Sequence, residues 1–322
     1  SAHQALFNKG SYFFMKIGVN GSGMVQKASV AKILEHASTA EDQGLKHYWL
    51  AEHPTGGLDA LTTLALVGQQ LKTMELGTAV VPTFPRHPMT LASQALTVAD
   101  VIGDRLTLGI GLSHKPMMAQ LGIDFEKPIR HLREYLSILL PLLRTGEVDF
   151  SGELLSCSAT LFQAPQTKVQ VLVAALGPQA LTVAGKLTDG TTLAWVGPKT
   201  IQDHIVPRLN EAAAAGDMPP PRVVATLPIC ITDEADEVRD SIDKGLGLYG
   251  RLPSYRAMFE REGVRTPSEV AIVGSRAEVE DKIESLAESG VTDFAPSEYC
   301  LTKEDRIATR EALIDLALKH NG

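Results

Sequence analysis

Short apolar runs alternate along the chain with longer segments in which apolar residues recur every three or four positions. The first run, at residues 16–19, precedes the segment 30–43, where Ile33, Ala37 and Ala40 share one helical face. Runs of this length fit strands, and the longer period fits helices. The same pattern predicts further strands at 47–51, 75–81, 106–112, 169–175, 191–196, 223–232 and 293–296. It predicts further helices at 59–71, 88–102, 130–143, 179–187, 199–215 and 303–319.

The order of these elements favours an α/β fold with a parallel sheet. Apart from Gln170 the run 169–175 is apolar, and such a run is typical of a strand covered on both faces. Eight strand–helix units within 322 residues favour a closed (β/α)8 TIM barrel over an open doubly wound sheet. Segment 147–160 predicts a hairpin, and segment 236–289 predicts a helical insertion between strands seven and eight. We expect the active site where the carboxyl ends of the strands meet the βα loops.

The first 14 residues do not show the charged-then-apolar order of a signal peptide. The first strand-like run begins at Met15, which we interpret as the native start. Residues 1–14 are then a vector-derived remnant or a disordered extension, and residues 15–322 form a single domain.

Charge and cysteine content narrow the class of protein. The chain has 30 Lys and Arg against 38 Asp and Glu, a net charge of −8, which argues against a nucleic-acid partner. No apolar stretch approaches the roughly 18 residues of a membrane span. The three cysteines are widely spaced without a CxxC pair, so neither a disulfide framework nor a zinc site is expected. These features predict a cytoplasmic protein that binds a small molecule and no metal.

Two sequence features carry candidate chemistry on their own. Asn20-Gly21-Ser22-Gly23 follows the first strand, but Gln26 stands where a dinucleotide fingerprint has its third glycine, so a flexible loop is the better interpretation. Glu52 and His53 follow the second strand. Histidine exchanges protons near neutral pH, so His53 is a candidate catalytic acid or base.

A third feature is a set of residues with fixed spacing that joins strands three and four. Singly, these residues fit helix caps, an ion pair and close-packed glycines. Together they resemble the luciferase-like family of flavin and deazaflavin oxidoreductases, whose members are (β/α)8 barrels, and the resemblance runs from Met15 to about Tyr299. The set consists of Pro88, Ala92, Asp100, Arg105, Gly109 and Gly111.

The segment 175–181, with sequence ALGPQAL, resembles the phosphate-holding turn of the family branch that uses coenzyme F420. A glycine-rich turn that opens a helix offers backbone N–H groups and a positive dipole end to an anion. The resemblance also implies a non-prolyl cis peptide at Ala79–Val80 behind the deazaflavin ring. The cofactor-binding residues it implies are Glu52, Ala79, Val80, Gly111, Ser113, Ala175, Gly177, Pro178, Gln179, Ala180 and Trp195.

The resemblance leaves three functions open. An F420-dependent member transfers hydride between the deazaflavin C5 and a small, rather apolar substrate; an FMN-dependent member is a monooxygenase; a third possibility is a non-catalytic flavin-binding barrel. We favour F420, and the family implies a homodimer. One departure concerns the sugar-phosphate dehydrogenases of the F420 branch, which carry a glutamate where this chain has His114. That residue becomes a second candidate acid or a substrate contact.

Overall fold

A computed structural model describes residues 14–320, so all of the predicted extension except Phe14 lies outside the described residues. The strands, in chain order, are β1 Lys16–Ile17, β2 Val19–Asn20, β3 His47–Leu50, β4 Glu75–Thr78, β5 Val81–Pro82, β6 Leu106–Gly111, β7 Glu147–Ser151, β8 Ser156–Thr160, β9 Gln170–Val173, β10 Gly190–Ala194, β11 Arg222–Thr226, β12 Pro228–Ile231, β13 Ile272–Gly274, β14 Asp293–Phe294 and β15 Ser297–Glu298.

The helices lie mainly between the strands, as the alternating pattern predicts. They are α1 Val30–Asp42, α2 Ala60–Gly68, α3 Pro88–Ile102, α4 Lys115–Gln120, α5 Pro128–Arg144, α6 Pro178–Leu187, α7 Pro198–Thr200, α8 Val206–Ala215, α9 Ala235–Leu246, α10 Pro253–Glu262, α11 Pro267–Val270, α12 Arg276–Glu288 and α13 Lys303–His320. A π-helical turn, Ile201–Ile205, joins α7 to α8. Short 3₁₀ turns occupy Ser22–Met24, Gly103–Arg105 and Tyr249–Arg251.

The parallel strands close into a barrel, which confirms the predicted fold. The first barrel strand is broken at Gly18, and its halves pair on opposite sides: β1 with β14 and β2 with β3. The ring then runs from β3 through β4, β6, β9, β10 and β11 back to β14. Because every barrel strand points the same way, their carboxyl ends share one rim.

Apolar side chains fill the interior of this ring. Trp49, Leu172, Val224 and Ala295 come from different barrel strands or strand ends and form a separate buried cluster. A Cβ on Gly77 would lie 2.2 Å from the Trp49 ring, so glycine makes room for the indole. At the opposite rim from the predicted site, charged groups from several strand starts interact: Arg222 Nη2 lies 2.8 Å from Asp293 Oδ1, and Arg222 Nη1 lies 2.8 Å from Glu75 Oε1.

The predicted insertion contains more than helices. The single strand expected at 223–232 is two strands, because β11 stays in the barrel while β12 leaves it. The second half, β12, pairs in parallel with β15 and with β13, a strand within the insertion that the sequence pattern did not predict. β13 has only three residues, too few to show a period of two. The insertion is therefore anchored by a small parallel sheet beside the barrel.

The predicted hairpin is present, with β7 and β8 paired antiparallel. Two further features concern the part of the chain that the structure describes. None of its helices is long and apolar enough to cross a membrane. Residues 14–320 contain no group of three or more His, Cys, Asp and Glu side chains arranged to hold a metal ion.

Candidate active site

All the candidate residues lie at or beyond the carboxyl ends of barrel strands. Glu52 and His53 follow β3, and the pair Ala79 and Val80 separates β4 from β5. Gly111 ends β6, and Ser113 and His114 follow it. The remaining candidates follow β9 and β10; they are Ala175, Gly177, Pro178, Gln179, Ala180 and Trp195. The fold thus brings the predicted residues to one rim, although no described contact joins His53 to His114.

Glu52 is held by an arginine that sequence reasoning did not assign to the site. Arg86 Nη2 lies 3.1 Å from a Glu52 carboxylate oxygen and 3.3 Å from Asp59 Oδ2. Burial raises the pKa of Glu52, and the neighbouring Arg86 charge acts in the opposite direction. Arg86 Nη1 is buried without a partner among the described residues. The ion pair between Glu52 and Arg86 therefore links the loop after β3 to the loop before α3 at the rim of the barrel.

His53 is half-buried and is held by the loop that follows the first strand. Its Nε2 lies 2.8 Å from Nε2 of Gln26. An amide nitrogen can only donate, so this contact makes Nε2 the acceptor of a neutral imidazole. Burial lowers the pKa of His53 below 6.5, against a smaller opposing effect of the Ser22 backbone. His53 is therefore neutral at pH 7, and Nε2, which accepts the hydrogen bond from Gln26, is its unprotonated nitrogen.

The predicted cis peptide is present at Ala79–Val80. The backbone on either side of it is tied to the neighbouring strand: Ala79 N–H donates to Leu50 O at 2.8 Å, and Glu52 N–H donates to Val80 O at 3.0 Å. A Cβ on Gly111 would lie 2.6 Å from Val80 Cγ2. Glycine at this position therefore lets Val80 pack directly against the end of β6.

The N-terminus of α6 is not capped by any side chain. Gly177 is the N-cap, and Pro178 occupies the first turn. Among the described residues, no acceptor bonds the N–H groups of Gly177, Gln179 and Ala180. A Cβ built on Gly177 would meet nothing within 4 Å. Free N–H groups facing open space at a positive dipole end fit a phosphate group, whereas the fully buried side chain of Ala175 belongs to the core.

A buried histidine supports this turn from behind. His204 lies in the π-helical turn and is 4% exposed, and its Nε2 is 2.8 Å from Leu176 O. Burial lowers the pKa of His204, so it is neutral and donates this hydrogen bond from Nε2–H. No local sequence pattern predicts this contact, because it joins residues 28 positions apart. π-Helical turns occur often at functional sites.

His114 and Ser113 form the loop after β6. Ser113 has φ of +62°, a conformation that non-glycine residues adopt mainly where surrounding structure enforces it. Its Oγ lies 3.7 Å from Met117 Sδ. His114 is the N-cap of α4 by position, although its side chain does not cap the helix. Burial lowers the pKa of His114, so it too is neutral at pH 7.

Trp195, directly after β10, also has a positive φ of +62°. It is 7% exposed, and its ring centroid is 5.2 Å from that of Tyr249. Tyr249 belongs to the insertion, which thereby reaches the rim of the barrel. No motif marked this tyrosine in the sequence, because its place at the site depends on how the insertion folds back.

Comparisons with known proteins agree with this architecture. Residues 12–293 match the family described as luciferase-like monooxygenase. The 5,10-methylenetetrahydromethanopterin reductase of Methanolobus tindarius is 24% identical over 300 residues, which cover 92% of this chain and 91% of that protein.

Two solved structures show the same fold. The coenzyme F420-dependent tetrahydromethanopterin reductase from Methanopyrus kandleri superposes with a TM-score of 0.80 at 20% identity, over 95% of this chain and 99% of that one. The oxygenating constituent of 3,6-diketocamphane monooxygenase from Pseudomonas putida, in complex with FMN, has a TM-score of 0.73 at 15% identity, over 93% and 96%.

Proposed function

The chain belongs to the luciferase-like monooxygenase family, and we propose that it is a coenzyme F420-dependent oxidoreductase that transfers hydride to or from a small organic substrate. The observation that supports a phosphate-bearing cofactor is the uncapped α6 N-terminus after Gly177. The sequence of this turn resembles the phosphate-holding turn of the F420 branch, and this resemblance favours F420 over FMN. The relative from Methanolobus tindarius, a methylenetetrahydromethanopterin reductase, spans nearly the whole chain and supports a reductase or dehydrogenase.

Different residues of the rim would bind different parts of the cofactor. The N–H groups of Gly177, Gln179 and Ala180 would hold the cofactor phosphate. Ala79 and Val80, packed against Gly111, would form the wall behind the ring. Bound F420 would supply or accept a hydride at its C5. The protein contributes mainly by holding cofactor and substrate in contact.

Proton transfer is assigned to His53, with His114 as a second candidate. Reduction of a carbonyl adds a hydride to carbon and requires a proton on oxygen, and the reverse reaction releases that proton. His53 is neutral at pH 7 because burial lowers its pKa, so it is suited to accept the proton in the oxidative direction. Glu52 is unsuited to this part, because its carboxylate is engaged by Arg86.

The alternative within the same family is an FMN-dependent monooxygenase. It is favoured by the structural likeness to the FMN complex of the Pseudomonas putida enzyme. A free phosphate site at α6 also suits FMN, because FMN ends in a phosphate group. The homodimer and the cytoplasmic location stay predictions from the sequence.

Titration of the purified protein with F420 and, separately, with FMN tests the proposal. Quenching of each cofactor's own fluorescence gives the two dissociation constants. We expect F420 to bind at least about tenfold more tightly than FMN, a difference of about 1.4 kcal/mol. Tighter binding of FMN would replace the proposal with the monooxygenase alternative, and binding of neither would remove both.

A further inference from the structure

Four aromatic side chains form a continuous row across the barrel mouth. Trp195 and Tyr249 have ring centroids 5.2 Å apart, and Tyr249 and Tyr255 have centroids 5.4 Å apart. Tyr255 and His114 continue the row at 5.6 Å. His114 follows β6 and Trp195 follows β10, and both of these strands are neighbours of β9. The row therefore spans the rim above the end of β9, beside the α6 N-terminus.

Each of the four side chains has a polar atom without a protein partner. No described residue forms a hydrogen bond with the Trp195 indole N–H, with the hydroxyl of Tyr249 or Tyr255, or with the His114 imidazole. These atoms are also not among the completely buried polar atoms that lack a partner. Each of them therefore keeps some contact with solvent, although Trp195 itself is only 7% exposed.

The chemistry of the row selects a class of ligand. Burial raises the pKa of Tyr255 and of Tyr249, and burial lowers the pKa of His114, so all the polar atoms belong to neutral groups. The indole N–H is only a donor, and the phenols donate readily. Neutral donors set in aromatic surfaces match an uncharged oxygen acceptor on an apolar body, whereas a phosphate or carboxylate is better matched by a cation or by the N–H groups of a helix N-terminus.

We propose that His114, Trp195, Tyr249 and Tyr255 form the substrate-recognition wall and that this wall binds an uncharged ketone or alcohol with an apolar body. The inference rests on the proposed hydride transfer, since a carbonyl–alcohol pair is the substrate class that such a reaction interconverts. Two of the four residues come from the insertion, so the insertion determines specificity. In this arrangement the hydroxyls of Tyr249 and Tyr255 contact the substrate oxygen, and the rings cover its hydrocarbon part.

Calorimetry on the protein loaded with oxidised F420 tests this wall, because a ketone does not react with the oxidised cofactor. The ligands are cyclopentanone, cyclohexanone and acetophenone, with 4-oxocyclohexanecarboxylate and glucose 6-phosphate as charged counterparts. We expect saturable binding of at least one ketone and binding of the charged compounds at least about tenfold weaker. Equal binding of ketone and carboxylate, or no ketone binding, would overturn the proposal.

Conservative variants separate recognition from packing. Tyr255→Phe and Tyr249→Phe keep the ring and remove the hydroxyl, so each should weaken ketone binding by about five- to tenfold, the usual effect of one lost hydrogen bond. The matched control is Tyr299→Phe, whose hydroxyl is 3.2 Å from Ser241 Oγ and lies outside the row. The control should leave ketone affinity unchanged. Unchanged affinity in both row variants would overturn the wall.

F420 affinity, measured on the same preparations, keeps this proposal distinct from the proposed function. It should stay within twofold of the wild type in all three tyrosine variants, because the phosphate and ring contacts lie elsewhere. If wild-type protein does not bind F420, the function proposal fails, and the ketone titrations are repeated on FMN-loaded protein. Tyrosine-dependent ketone binding there would still support the wall, and its absence would overturn it.

Discussion

His204 donates a hydrogen bond to the carbonyl oxygen of Leu176, with the two atoms 2.8 Å apart. The Leu176 carbonyl belongs to the same peptide unit as the Gly177 N–H. In a trans peptide these two groups point in opposite directions. By fixing the carbonyl on the buried side, His204 turns the Gly177 N–H toward the open side of the α6 N-terminus. The π-helical turn that carries His204 is thus linked to the proposed phosphate site.

Replacing His204 should weaken ligands with a phosphate group and spare those without one. We expect His204→Leu to lower F420 affinity by about tenfold, the scale of one lost charge-assisted hydrogen bond. The affinity for the phosphate-free ribityl deazaflavin should stay within twofold. Fluorescence quenching measures both constants, and FMN with riboflavin provides the equivalent pair.

Two variants control for a general loss of structure. His204→Gln keeps an N–H donor near the position of Nε2 and should restore most of the F420 affinity. Thr188→Val removes a buried hydrogen bond of 2.7 Å to Ala184 O at the other end of α6, and should affect neither ligand. Equal weakening of both deazaflavins by His204→Leu would show that the histidine only supports the fold.

An aspartate at position 177 should compete with the phosphate. Gly177 has φ of −78°, which any residue adopts, and a Cβ there meets nothing within 4 Å. Aspartate is also a good N-cap, so Gly177→Asp should fold with unchanged or higher thermal stability. Its carboxylate would occupy the N–H groups and repel the phosphate, so we expect F420 affinity to fall at least about tenfold.

The uncharged isostere separates the two causes of that loss. Gly177→Asn caps the helix without adding charge and should weaken F420 less than the aspartate does. Gly177→Ala adds only a methyl group and should have the smallest effect. Wild-type affinity in Gly177→Asp would exclude the α6 N-terminus as the phosphate site.

The barrel was predictable because the spacing of apolar residues distinguishes the strand from the helix in each strand–helix unit. The largely apolar run 169–175 and the Gly177-Pro178 turn after it identified the start of α6, since local sequence decides both features. Two barrel strands are broken. The break at Ala79–Val80 was implied by the family resemblance, whereas the break at Gly18 was not predicted. Short strands such as Ile272–Gly274 carry too few residues for a pattern.

Side-chain partners were the least predictable part of the site. Arg86 was visible in the sequence, but its contact with Glu52 spans 34 positions and depends on two loops meeting at the rim. Tyr249 and Tyr255 lie in an insertion without a motif. Their place beside Trp195 and His114 follows from the packing of the insertion against the barrel, which no local pattern encodes.

Acid should destabilise the protein partly through His131. Its ring stacks on Phe84 with centroids 3.8 Å apart, and its Nε2 is 3.1 Å from Thr83 Oγ1. Burial lowers the pKa of His131 to about 4, from 6.5 in the unfolded chain. Between these values the unfolded state takes up a proton that the folded state does not, so stability falls as the pH falls. From pH 7 to pH 5 this histidine should account for about 2 kcal/mol.

Urea unfolding of wild type and His131→Gln at pH 7 and pH 5 measures this contribution. The glutamine does not titrate, so the variant should lose about 2 kcal/mol less unfolding free energy than the wild type over this interval. Other buried histidines remain in both proteins and cancel in the comparison. Identical losses in the two proteins would show that His131 is protonated in the folded state as easily as in the unfolded one.

His53→Ala tests the proposed proton transfer. The proposed ring and phosphate contacts do not involve His53, so F420 affinity should stay within a few-fold of the wild type. Turnover at saturation should fall by about a hundredfold or more, as expected for the loss of a general acid or base. Because burial lowers the pKa of His53, the acid limb of the wild-type profile for substrate oxidation should lie below pH 6.5. That limb should be absent in the variant.

Gln26→Ala serves as the matched control, because it removes the 2.8 Å contact to His53 Nε2 and leaves the imidazole in place. We expect this control to lower turnover only modestly and to keep the acid limb. If His53 instead packs beneath the cofactor ring, His53→Ala should weaken F420 binding and leave saturated turnover nearly unchanged. Full turnover together with normal affinity would mean that water or the substrate itself carries the proton, since hydride transfer to an acceptor with a stable anionic product needs no acid from the protein. Measuring both constants on one preparation distinguishes these three roles.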